Sequence, residues 1–300
     1  MEGVRKVVVL GSGHRSQVWL VQRDRCFYAL KEVPKAGLSQ IEVQHLFNEK
    51  AAFQSLSHPS LIHAPSISQD AQNLYFLMNL APGAPLSQIT ARSPGFAEDQ
   101  VRAICVQLAD SLVYLRGEGW VYRDLKLSNV FWDQEGKVTL VDLGFCKKVQ
   151  GERTYTVCGT RHMMSPEIFR HLLEGGEAGG YGCECDYWAL GILAYELLKG
   201  QPPFGLTDED IYQKILRGNV DYTGLSESSA SFISALLVPD PSLRLGHSAA
   251  SDLLQHPWLQ SVQFPVLPDA AQTSAIFDWC EFLQEEEEPS AEAQEAFAEF

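Results

Sequence analysis

Two short stretches constrain this chain more than anything else in it. Residues 122–129 read Tyr-Arg-Asp-Leu-Lys-Leu-Ser-Asn, the pattern Y-R-D-x-K-x-x-N. Asp142-Leu143-Gly144 follows, its acid 18 residues after Asp124, at the end of the apolar run Val138-Thr139-Leu140-Val141. An acid, a lysine and an amide followed by a second acid supply what phosphoryl transfer asks of a protein. One carboxylate orients a hydroxyl, the lysine neutralises the moving phosphoryl, and the amide and second acid offer oxygens to magnesium. Either stretch alone is weak evidence. Their order and spacing carry the weight.

Composition sets the bounds. Three hundred residues with 45% hydrophobic content suit one large domain or two lobes around a real core. No run of 18 apolar residues is present, which argues against a membrane span. The opening Met1–Lys6 leads into a Val/Leu run too short for a signal peptide and better read as a first strand. The seven cysteines are scattered, and Cys183-x-Cys185 without a second pair is a poor zinc signal, so they read as reduced thiols. That predicts a cytoplasmic protein, with the nucleus as a further location. The formal charge is −15, and residues 277–300 hold nine acids and no Lys or Arg, which disfavours a nucleic-acid partner.

Periodicity orders the elements. Strands are predicted over 4–10, 17–21 and 26–33, the last stopped by Pro34, and over 73–79. A helix is predicted from Ser39 to Leu56, with Ile41, His45, Leu46 and Phe53 on its apolar face and Ser57-His58-Pro59 ending it. Residues 81–85, Ala-Pro-Gly-Ala-Pro, form a hinge. From Ala97 on the pattern is mostly helical: Ile104, Leu108, Leu112 and Leu115 mark a core-facing helix, and Tyr187–Leu198 is apolar almost all round. Residues 174–182, with five glycines, read as a flexible loop.

Gly11-Ser12-Gly13-His14-Arg15-Ser16 follows a strand, where small residues let backbone N–H groups approach phosphates. A plain hairpin needs the same glycines, so the loop gains meaning only from Lys31, a lysine in an apolar strand soon after it. Lysine is rarely buried without a partner, and Glu49 on the next helix is the candidate.

The ordered set Gly11, Gly13, Lys31, Glu49, Asp124, Lys126, Asn129, Asp142 and Gly144 resembles the eukaryotic protein kinases across essentially the whole chain. Ser165-Pro166-Glu167, Asp186 to Gly191 and Arg244 extend the match. Tyr122, the Asp142–Lys147 run, Thr156-Val157-Cys158-Gly159-Thr160 and the terminal Phe297-Ala298-Glu299-Phe300 are similar to the AGC group, and within it to the cyclic-nucleotide-dependent serine/threonine kinases. The resemblance implies an α+β, two-lobed kinase fold: a small antiparallel β-rich lobe over 1–80, a large mainly helical lobe over 81–260, and an AGC-type tail over 261–300. In that tail Phe277-Asp278-Trp279 would reach the nucleotide and the two final Phe rings would dock on the small lobe.

By the same resemblance ATP and Mg2+ are the expected cofactors. Leu10, Gly11, Ser12, Gly13, Val18 and Ala29 would surround the nucleotide, with backbone at Asn79 and Ala81 bonding the base. Lys31 would take the α/β-phosphates with Glu49 as its anchor. Asp124 would be the catalytic base, Lys126 would meet the γ-phosphate, and Asn129 and Asp142 would hold metal. Thr160 and Glu196 would contact the substrate. Thr156 would be a regulatory phosphosite, its phosphate pairing with Arg123, Lys147 and His45. Protein substrates, an upstream kinase and a regulatory subunit are the implied partners.

The chain departs from the pattern at Ser16 (third loop glycine), at Leu143, and at Arg161-His162-Met163-Met164. Pro85 and Ser128 stand where acids would read basic residues. The 174–182 loop resembles an insertion. Ser16, Arg15 and the Arg161–Met163 replacements leave a pseudokinase, a regulatory or scaffold module with this fold, as the alternative expectation.

Overall fold

The computed structural model describes residues 3–92, 95–149, 153–173, 179–206 and 211–260. They form two units, one of residues 3–57 and 62–81, the other of residues 58–61 and the described residues from Pro82 on. The expected tail at 261–300, including Phe277-Asp278-Trp279 and Phe297–Phe300, lies outside the described residues, as do positions 174–178 of the glycine-rich loop.

The first unit is an antiparallel sheet with one helix. Its strands are β1 (Arg5–Ser12), β2 (Gln17–Arg23), β3 (Cys26–Pro34), β4 (Ser66–Gln69) and β5 (Asn73–Asn79), in the spatial order β1-β2-β3-β5-β4. Asp24 and Arg25, both at positive φ, make the two-residue turn between β2 and β3; such turns match the right-handed twist of the strands they join. Central β3 is buried at Ala29, Leu30 and Val33 and pairs Lys31 with Phe76 of β5. The strand ends at Pro34, which pairs opposite Asn73, one residue past the expected bound. Strand β4 escapes sequence reading because Ser-Ile-Ser-Gln has one apolar residue; its pairing with Leu74–Leu77 makes it a strand.

Helix α1 (Gln40–Ser55) starts at a capping box. The Glu42 N–H donates to the Ser39 hydroxyl, and the Glu42 carboxylate accepts from the Ser39 N–H at 2.8 Å. Leu46, Glu49, Ala52 and Phe53 are its buried side, and Phe53 packs on Phe76 with ring centroids 5.9 Å apart. Ile41, expected on that face, is 60% exposed. It is the second residue of α1, in the first turn, five residues ahead of the first buried position, Leu46.

The second unit is mainly helical, with α2 (Leu86–Arg92), α3 (Glu98–Gly117), α4 (Pro166–Leu173), α5 (Glu184–Lys199), α6 (Ile211–Arg217), α7 (Glu227–Leu236) and α8 (Asp252–Gln255). Short strands punctuate it: β6 (Ala84–Pro85), β7 (Trp120–Val121), β8 (Val130–Trp132), β9 (Val138–Leu140) and β10 (Lys147–Lys148). Helix α5 is buried nearly all round, as its apolar sequence predicts. Gly191 lets it approach α7 closely, because a Cβ there would meet Leu236 Cβ and Leu237 Cδ2 at 2.9 Å. Residues 58–61 belong with these helices: His58 bonds Asp110 at 3.1 Å and stacks on Tyr114, and the Leu140 N–H donates to the Ser60 carbonyl.

Candidate active site

In the first unit the residues expected around a nucleotide are placed by the strand register. Leu10 sits at a register shift of β1 between Val9 and Gly11, where a bulge re-aims a side chain. The loop closes tightly, Gly13 N–H to the Ser16 carbonyl at 2.7 Å. A Cβ on Gly13 would meet Ser16 Oγ at 2.7 Å, so the turn that accepts Ser16 needs this glycine. Ser12 ends β1; Val18 lies opposite Lys31, and Ala29 opposite Leu20 and Met78. The Asn79 N–H is committed to the His63 carbonyl at 2.9 Å, so a bond from Asn79 to a base would use its carbonyl; Ala81 ends this unit, half-buried.

Lys31 Nζ meets Glu49 Oε1 at 2.6 Å, with the Glu49 side chain only 2% exposed. The lysine and the acid expected to meet are therefore paired. Such a pair is weak evidence for stability, because desolvating two charges offsets most of their attraction, but breaking it strands a buried charge. His45, the expected phosphate partner on α1, is half-buried one turn before Glu49.

In the second unit the Tyr122–Asn129 stretch runs from β7 into a short 3-10 turn at Leu127–Asn129. Arg123 is held at φ +72°, a left-handed conformation that costs on the order of 1–2 kcal/mol for a residue with a side chain. Asp186 at the start of α5 stabilises it, accepting from both the Tyr122 and the Arg123 N–H at 2.7 Å. Burial pushes the Asp186 carboxyl up to about 6, and those two bonds pull it back towards the ionised form. Asp186 appears in the sequence only as part of a motif; its role in shaping this loop needs the structure.

Asp124 is buried and bonded through both oxygens. Its Oδ1 accepts from the Thr160 hydroxyl at 2.9 Å; its Oδ2 meets Lys126 Nζ at 2.7 Å and accepts from Asn129 Nδ2 at 2.9 Å. Asn129 Nδ2 also donates to the Asp124 carbonyl. Gly159, at φ +99°, permits this closeness, since a Cβ there would lie 2.6 Å from the Arg123 carbonyl oxygen. Strands β8 and β9 pair antiparallel, and the Val141 N–H donates to the Asn129 carbonyl, which brings Asp142 beside Asn129. The Gly144 N–H caps Asp142 Oδ1 at 2.9 Å, and Leu143 is buried.

A groove of about 450 Å³ in this unit is lined by Ser87, Thr90, Lys126, Ser128, Thr160, His162, Glu196 and Leu206, among others. Glu196 Oε2 is buried there with no hydrogen-bond partner among the described residues, and burial raises its pKa. Burial, then the Lys126 charge, lowers His162. Thr156 is half-buried, and burial followed by the Arg123 charge lowers Lys147.

The description "Protein kinase domain" matches residues 4–259. The chain belongs to the protein kinase domain family. The kinase domain is 34% identical over 269 residues to the cAMP-dependent protein kinase catalytic subunit of Dictyostelium discoideum, covering 87% of this chain and 40% of that protein. Against the cAMP-dependent protein kinase catalytic subunit PRKX of Homo sapiens it is 34% identical over 271 residues, covering 87% and 73%. Against the atypical protein kinase C of Drosophila melanogaster it is 34% identical over 279 residues, covering 86% and 45%. The AGC likeness, and within it the likeness to cAMP-dependent kinases, thus extends over most of the chain. This kinase domain spans under half the length of the first of these relatives and about three quarters of the second. Among the described residues no helix is long and apolar enough to cross a membrane.

Proposed function

We propose that this kinase domain transfers the γ-phosphoryl group of ATP to serine or threonine hydroxyls of proteins. The observation that carries the reading is the environment of Asp124: one oxygen on Thr160, the other on Lys126 and Asn129. A buried carboxylate so fixed is placed to orient a hydroxyl and take its proton, with Lys126 beside it to meet the negative charge of the phosphoryl. A binding module would have no use for these groups interlocked, which supports the enzyme over a pseudokinase. In the first unit Lys31, anchored by Glu49, would hold the α/β-phosphates.

The donor set fits magnesium. Both amide protons of Asn129 are committed to Asp124, leaving its Oδ1 as the ligating atom, and Asp142 adds a carboxylate. Among the described residues no group of three or more His, Cys, Asp or Glu side chains could hold a metal. That suits an ion bound through one carboxylate plus phosphate oxygens and water rather than a closed protein cage. Magnesium, when bound, would neutralise phosphate charge. The test is phosphate transfer from Mg-ATP to a mixed peptide library. Turnover onto serine and threonine, lost in Asp142→Ala and on chelation with EDTA, supports the assignment; wild-type protein without turnover overturns it.

Substrate choice is also a proposal. Glu196, the acid of the groove with an unpartnered oxygen, would accept a basic side chain near the acceptor. Its raised pKa means that it protonates at a higher pH than an ordinary carboxyl. KM for a basic peptide is therefore expected to rise as pH falls, beginning above the usual carboxylate range. Glu196→Gln should show a high KM that does not change over that range. A wild-type KM independent of pH would remove Glu196 from recognition. A regulatory subunit, and an upstream kinase acting at Thr156, are the partners to seek, since relatives of this domain are named catalytic subunits.

A further inference from the structure

Tyr181 falls in the stretch that sequence presents as a glycine-rich loop, yet it is 1% exposed. Its backbone pairs with Thr154 in both directions: Thr154 N–H to the Tyr181 carbonyl at 2.8 Å, Tyr181 N–H to the Thr154 carbonyl at 2.9 Å. Gly180, at φ +68°, permits the approach, because a Cβ there would lie 2.9 Å from the Thr154 carbonyl oxygen. The Tyr181 hydroxyl donates to the Thr156 carbonyl at 2.5 Å and accepts from Arg123 Nη1 at 3.3 Å. Arg123 itself is buried. Its Nε donates to the Phe145 carbonyl at 2.6 Å, and its Nη1 also donates to the Thr154 hydroxyl at 3.4 Å.

This hydroxyl and the Arg123 side chain that it bonds together join three pieces of chain that carry the reaction's groups. Arg123 precedes Asp124, Phe145 follows the Asp142 turn, and Thr156 lies four residues before Thr160, which bonds Asp124. None of these bonds uses the Thr156 side chain. We propose that Tyr181 is a positioning residue for phosphoryl transfer: its hydroxyl ties the 153–160 segment to Arg123 and keeps Thr160 on Asp124 before Thr156 is modified. The proposal rests on the kinase reading above. Arg123 Nη2, buried with no partner among the described residues, is the donor left for a phosphate, so modification of Thr156 would reinforce a segment that is already fastened.

Tyr181→Phe tests this, since it removes the hydroxyl and keeps the ring and the backbone pairing. Both proteins are treated with phosphatase, and mass spectrometry confirms that they carry no phosphate. The treated wild type should keep at least about half of its untreated kcat, whereas treated Y181F should lose about tenfold in kcat with KM for Mg-ATP unchanged. Amide exchange over 154–160 should accelerate about tenfold in Y181F, while the amides of α5 keep their protection, which separates release of the segment from general destabilisation. Collapse of wild-type turnover on phosphatase treatment, or Y181F with unchanged exchange, overturns the proposal. If neither protein transfers phosphate, the kinase reading is what fails, and the exchange comparison alone decides whether Tyr181 fastens the segment.

Discussion

Replacing Asp124 with asparagine should lower kcat by about 10³-fold, within the range that removal of a positioned general base produces, and leave the affinity for ATP nearly unchanged. Asparagine keeps the size of the side chain and can still accept from Thr160, so the loop should hold its shape. It cannot take up the substrate proton, and it exchanges a carboxylate oxygen beside Lys126 for an amide. Fluorescent-nucleotide titration alongside steady-state turnover checks this. Parallel loss of nucleotide binding and turnover would mean that the interlocked bonds on Asp124 serve folding more than chemistry.

The second large effect is on stability. Arg244 is fully buried and makes a bidentate pair with Glu167, Nη1 to Oε1 at 2.7 Å and Nη2 to Oε2 at 2.9 Å. It also donates to the Val238 and Glu184 carbonyls and lies 5.2 Å over the Trp188 ring. Arg244→Met leaves the Glu167 carboxylate buried without its cation, which costs about 3–5 kcal/mol. For a domain of this size that corresponds to a fall in Tm on the order of 10 °C. Adding Glu167→Gln to Arg244→Met should recover part of the loss, because a neutral amide is cheaper to bury than an unpaired charge. Thermal unfolding of the two variants decides it, and a Tm within 2 °C or so of wild type would show that this site repacks around the change.

Groups fixed by short-range chemistry were legible in the sequence. The Asp124–Asn129 stretch and Asp142 lie within one loop and one hairpin, so their spacing carries their geometry. Lys31 and Glu49 could be paired because a lysine in an apolar strand demands a counter-charge. Ser39 and Glu42 mark the start of α1 three residues apart. What stayed hidden depends on distant partners. Ile41 looked like part of an apolar face, but it falls in the first turn of α1, ahead of the first buried position. Strand β4 exists because β5 offers it a ladder. Tyr181 sat among glycines that suggested mobility, whereas Gly180 is there so that two backbones can touch. Asp186 reads as one letter of a motif, and nothing local says that it shapes a loop more than sixty residues earlier in the chain.

The burial of Glu49 has a consequence for how α1 moves. A carboxylate seated against Lys31 with almost no exposure to water cannot drift outward by small steps, since partial withdrawal loses the cation before water can replace it. Outward movement of the helix would therefore leave a charge buried without its partner, which costs about 3–5 kcal/mol. Control of this unit would work as a latch that is either set or released, and anything that favours one position would change the number of competent molecules rather than the speed of each one.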